Sequence, residues 1–79
     1  MERKYLAKPI NNEFARLWSD IPKVYTYRMY VVLANEIDSA RLDRLISEKE
    51  ESALIGCLEH WAKTMRVPMT EEEYNQMYR

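Results

Sequence analysis

The side chains best suited to covalent chemistry in this sequence are Cys57 and His60, three positions apart in "GCLEHW". On a helix that spacing makes them neighbours, and a thiolate beside an imidazole can serve as nucleophile and base. Two features argue against that use. Cys57 falls beside an apolar stripe, where a free cysteine usually behaves as a small hydrophobe, and no third group or oxyanion donor accompanies the pair. His60 reads as a boundary residue, so no catalytic residue is assigned and the chain is expected not to be an enzyme.

Metal and nucleotide chemistry fare no better. A structural zinc site takes four ligands, and one Cys and one His would have to be pooled across a symmetric dimer whose helices met at Cys57. The acidic runs "EKEE" and "TEEE" are accounted for as first-turn acids and solvated faces. With a single glycine, the glycine-rich phosphate cradles cannot be built. No cofactor and no metal are expected.

The aromatic inventory is more informative. Six tyrosines and two tryptophans in 79 residues exceed what so small a core encloses, and tyrosine offers apolar area with a polar tip. Tyr25, Tyr27 and Tyr30 lie within six residues, and Tyr25 and Tyr27 cannot share one helix stripe because two residues turn about 200°. With Arg28, Met29 and the terminal Tyr74, Met77 and Tyr78, they are expected to form an interface of the type enriched in Tyr, Met and Arg. The competing arrangement folds Tyr74 and Tyr78 back on Tyr27 and Tyr30 and closes the core within one molecule.

These residues need elements to hold them. Residues 1–11, "MERKYLAKPIN", read as an extended arm, with Pro9 biasing Lys8 away from helix. Asn11 or Asn12 caps "EFARLWSDI", where Phe14, Leu17, Trp18 and Ile21 recur at three and four. Pro22 either stops that helix or, with Asp20 as cap, opens the next. The stretch "KVYTYRMYVVLA" alternates like a strand, but a lone two-stranded ribbon with the arm would be marginal. Read as a helix, it places Val24, Tyr27, Val31 and Ala34 on one line, with Tyr30, Leu33 and Ile37 beside it, and a bend falls near Asn35–Ser39.

Downstream, Ser47 and Glu50 form a capping box that either starts a fresh helix or sits within one continuous helix over 38–66. In "SALIGCLEHWAKTMRV" the stripe is Leu54, Leu58, Trp61 and Met65, and Gly56 marks a close helix contact. Pro68 ends it. Thr70 and Glu73 make a second capping box, with Met69 and Tyr74 as a hydrophobic staple. The expected fold is all-α: one domain over 1–79, with the arm at 1–11 and a bundle of three to five helices over 12–79.

Composition bounds the rest. At 47% apolar and 32% charged the chain is globular, and its size gives a core worth only about 3–5 kcal/mol. Residues 1–33 carry six basic groups against three acidic, and residues 34–79 six against ten. Such polarity suits head-to-tail contacts or a protein partner better than nucleic acid, which rewards a net positive field. One cysteine gives no disulfide, no apolar run approaches transmembrane length, and no signal peptide is apparent, so a cytoplasmic, non-membrane protein is expected.

The expected function is a small helical regulator, adaptor or inhibitor that binds a larger protein, or itself. Its size and acidic C-terminal half suit a phage or mobile-element product that occupies a basic groove. The alternative is a DNA-associated regulator using Arg3, Lys4, Lys8 and Arg28.

Overall fold

The computed structural model describes residues 11–77, and all regular structure among them is helical. The predicted arm, apart from Asn11, and Tyr78 lie outside the described residues. Helix α1 spans Asn12–Asp20, a 3₁₀ turn covers Ile21–Lys23, α2 spans Tyr27–Leu42, α3 Glu48–Met65 and α4 Glu71–Met77. Helices α1, α2 and α3 pack against one another.

Each start has a chemical cause. Asn11 Oδ1 accepts the N–H groups of Glu13 and Phe14, satisfying two donors that α1 would otherwise leave free. The same side chain donates through Nδ2 to Leu45 O at 2.8 Å and to Glu50 Oε1 at 3.3 Å, tying the start of α1 to the α2–α3 connection. The Ser47–Glu50 capping box is complete, Ser47 N–H donating to Glu50 Oε1 and Glu50 N–H to Ser47 Oγ. It opens a separate helix, which resolves the 38–66 stretch into two. At α4 only half the box forms: Thr70 Oγ1 accepts from Glu73 N–H, while Glu73 Oε1 reaches past the cap to the Met69 N–H.

Both long helices end the same way. Arg44 and Arg66 adopt left-handed φ of 63° and 59°. Leu45 N–H then donates to Ala40 O and Val67 N–H to Ala62 O, the six-to-one bonds of a Schellman closure. No break falls at Asn35–Ser39, where the bend is expected. Helix α2 continues to Leu42, because the closure on Arg44 rather than the cap-competent side chains upstream ends it.

The strand reading of residues 23–34 gives way to helix from Tyr27 on, but not before it. Val24 and Thr26 are extended, and Thr26 Oγ1 caps α2 by accepting from Met29 N–H. Val24 is therefore buried from outside the helix, and the inward line of α2 is Leu33, Ile37 and Ala40. Pro22 stands in the 3₁₀ turn, where its missing N–H costs nothing, and Asp20 makes no side-chain cap bond.

Eleven apolar residues form one buried cluster, with Leu17, Ile37, Leu54 and Leu58 fully enclosed. Each such burial is worth roughly 1.5–3 kcal/mol. Three expectations about this core need correction. Ala62, four residues after Leu58, takes the inward place assigned to Met65, which stays 43% exposed. Trp18 lies about 100° around α1 from the Leu17 position and remains 46% exposed. Gly56 marks no close contact: a Cβ built there meets nothing within 4 Å. Across the molecule, Arg41 Nε lies 2.9 Å from Glu51 Oε1, an ion pair linking α2 to α3 whose N–H is not aligned for a hydrogen bond.

Candidate interaction surface

No aromatic ring among the described residues belongs to the buried core, which is built wholly from Leu, Ile, Val and Ala. The rings occupy the boundary and the surface instead, where six of the seven stand in pairs and Tyr30 packs against the core. Phe14 and Trp18 stack at 5.7 Å along α1. Tyr25 meets Trp61 edge to face at 6.3 Å, and Tyr27 stacks on Tyr74 at 5.2 Å.

Trp61 organises the first cluster. Its indole N–H donates to Val24 O at 2.8 Å, clamping the extended link before α2 onto α3. Tyr25 leans on that indole from the exposed side, 61% accessible, and its own N–H points to Met29 Sδ at 3.5 Å, a weak contact. Behind these residues an open cleft of about 420 Å³ runs between the end of α1 and the middle of α3. Trp18, Ile21 and Pro22 form one side, Cys57, His60 and Trp61 the other, with Gly56 and Thr64 completing it. The Cys57–His60 pair thus faces a cleft, with Cys57 half-buried against the core and His60 exposed.

The second cluster joins α4 to the start of α2. Helix α4 buries no residue of its own, and the ring contact of Tyr74 with Tyr27 fastens it. The expected Met69–Tyr74 staple is replaced by a division of work, in which Met69 packs on the core and Tyr74 turns to Tyr27. Met77, on the same short helix, is 52% exposed. Tyr30 is half-buried nearby. Burial, with the Glu59 and Glu73 carboxylates adding to it, pushes its phenol above the ordinary tyrosine range.

The eight residues expected at the interface therefore do not make one patch of equals. Tyr25 and Met29 stand together beside Trp61, and Tyr27 and Tyr74 are held face to face near Tyr30 and Met77. Arg28 is exposed between them in sequence, with no ion pair among the described residues. Sequence reasoning missed Trp18, Pro22 and Trp61 as surface formers, because both tryptophans fit the helical stripes. The signal was available for Trp18, since the Leu17–Ile21 pair centres the α1 stripe and leaves it at the edge.

Charge is distributed unevenly around these clusters. Arg16 is engaged by Glu13, Asp20 and Glu36, and Lys23 by Asp20. The Arg16 guanidinium, bonded to Glu13 at Nε and Nη2, holds that carboxyl below the usual range, and Arg16 is itself pushed upward by the same bond. Two of the three described basic residues of the N-terminal third are thereby committed within the molecule. Among the described residues no group of three or more His, Cys, Asp or Glu is placed to hold a metal ion, and no helix is long and apolar enough to cross a membrane.

No protein-family model matches this chain, and the searches of curated proteins and of solved structures return no match.

Proposed function

We propose that this chain is a non-enzymatic protein-interaction module, a small helical regulator, adaptor or inhibitor that engages a larger protein through its tyrosine- and methionine-rich surface. The observation that carries the reading is that no described aromatic ring belongs to the buried core, while six of the seven are paired with another ring. A ring already held in place loses little conformational freedom on binding, and large rigid amphipathic side chains are what binding hot spots are made of. The acids flanking Tyr74, at Glu71, Glu72 and Glu73, are all exposed and suit a partner with basic groups at its rim. The alternative of DNA association rests on Arg3, Lys4, Lys8 and Arg28, of which only Arg28 lies among the described residues, and the other two described cations of residues 1–33, Arg16 and Lys23, are paired within the molecule.

The test is capture of a partner from the native host by the immobilised chain, with mass identification, repeated with Tyr74→Ala and Met77→Ala. Met77→Ala trims an exposed side chain and should keep helicity and thermal midpoint, whereas Tyr74→Ala also loses its stack on Tyr27 and should lower the midpoint by a few degrees while α1–α3 stay folded. Capture should fall about 30-fold for a hot-spot residue worth 2 kcal/mol. Retention of the same partner by both variants at wild-type strength would refute this face as the docking surface.

A further inference from the structure

Four of the large apolar side chains left in water gather at one place. Trp18 lines the cleft between α1 and α3, Tyr25 rests on its Trp61 wall, Met29 touches Tyr25, and Met65 lies one turn along α3 from Trp61. We propose that a second copy of this chain covers the cleft, in a two-fold dimer in which Trp18 of each copy enters the cleft of the other.

Charge selects the occupant. In a two-fold interface the same patch meets itself, so any formal charge near the axis faces its own kind. In a chain that is 32% Asp, Glu, Lys and Arg, none of the eight residues lining this cleft is one of them. The nearest charges on the 3₁₀ side, Lys23 and Asp20, already neutralise each other at 3.7 Å. The other exposed apolar corner, around Val32 and Leu45, is lined by Glu13, Glu36 and Asp43 as well as Arg16, and self-pairing there would oppose carboxylates. The Tyr27–Tyr74 cluster is similarly bordered by Glu59 and Glu73. Of the three faces, this is the one whose lining carries none of these charges.

Area sets the strength. A fully buried aromatic contributes about 150–250 Å², so the exposed parts of Trp18 and Tyr25 offer roughly 100 Å² each. The whole face falls near or below the roughly 600 Å² per partner of the smallest stable interfaces, which makes the dimer a weak one, populated only at high concentration. This contact uses the Trp18, Tyr25 and Met29 part of the aromatic surface, whereas the partner-capture test probes Tyr74 and Met77 on α4, so either can fail without the other.

Sedimentation equilibrium on the full chain, from about 5 μM to 1 mM, tests it. The wild-type mass should rise from the 9.5 kDa monomer towards double, with tryptophan emission moving to shorter wavelength over the same range. Gly56→Lys adds a charge at the cleft, at an exposed helical position where a Cβ meets nothing within 4 Å, so it should fold normally and dimerise at least tenfold more weakly. Thr64→Arg, also exposed on α3, is an independent second variant with the same expected loss. A wild type that stays monomeric to 1 mM overturns the proposal and leaves the cleft to another occupant. A dimer whose midpoint neither variant moves places the contact elsewhere and overturns it equally.

Discussion

Replacing Trp61 with phenylalanine tests the central physical claim about this fold, that one indole holds the extended link onto α3. The substitution keeps an aromatic ring against the core and removes the N–H that donates to Val24 O at 2.8 Å across 37 residues of sequence. Val24 is buried, so its carbonyl has little access to replacement water. Leaving such an acceptor unpaired costs about 1–3 kcal/mol. The smaller ring also weakens the edge-to-face contact with Tyr25, itself worth about 0.5–1.5 kcal/mol at most. A total near 2 kcal/mol is about half of what a core of this size supplies. At about 4–8 °C per kcal/mol for a domain this small, the thermal midpoint should fall by about 8–16 °C. Circular dichroism melts, with urea unfolding to check that the m-value is unchanged, measure it directly. A double-mutant cycle with Tyr25→Ala should show coupling of about 0.5–1 kcal/mol. A fall below about 3 °C for Trp61→Phe would refute the reasoning, since the carbonyl would then be finding water and the link would not depend on the indole.

Three further outcomes follow from the backbone and from one phenol. Gly56 is exposed in mid-helix with open space where a Cβ would stand, so Gly56→Ala should raise stability by about 0.5–1 kcal/mol in urea unfolding. Arg66→Gly relieves a left-handed L-residue at the α3 closure and should also stabilise, by about 0.5–1 kcal/mol, since the cost of that conformation exceeds glycine's added entropy in the unfolded chain. A destabilised Arg66→Gly would mean that the arginine side chain, not the backbone turn, secures the end of the helix. For Tyr30 the folded pKa lies above the unfolded value, so the folded state favours the neutral phenol. Its contribution is fully present below the unfolded value of about 10 and is lost as pH rises through the folded one. Ultraviolet titration should show a late phenolate step that Tyr30→Phe removes, while a step that persists in Tyr30→Phe belongs to another ring.

The helical class was legible because several independent signals agreed: a period of three and four in α1 and α3, Asn11 as cap, and the Ser47–Glu50 box. What was not legible has a common cause. Helix ends that close on glycine announce themselves, but here Arg44 and Arg66 take the left-handed positions and the one glycine sits exposed inside α3, so Gly56 misdirected the reading and the break after Leu42 carried no signal. The start of α2 was obscured differently. Val24 is apolar and buried, and period alone cannot tell a buried residue inside a helix from one folded over its end.

The site was half legible for the same reason. Composition implied that rings must be exposed, yet helical spacing put both tryptophans in the core, because a stripe predicts direction and says nothing about size. Leu17, Leu54 and Leu58 fill the space between α1, α2 and α3, and a ring the size of an indole cannot enter without pushing those helices apart. Trp61 can approach only where its N–H finds the Val24 carbonyl, and Trp18 only where Phe14 gives it a face to lie on. The competing idea, in which Tyr74 and Tyr78 fold back on Tyr27 and Tyr30, is realised for Tyr74 in its stack on Tyr27, with neither ring part of the buried cluster, while Tyr78 lies outside the described residues. An aliphatic interior of this size forces its aromatic residues outward, and their pairing turns that exclusion into ordered surface.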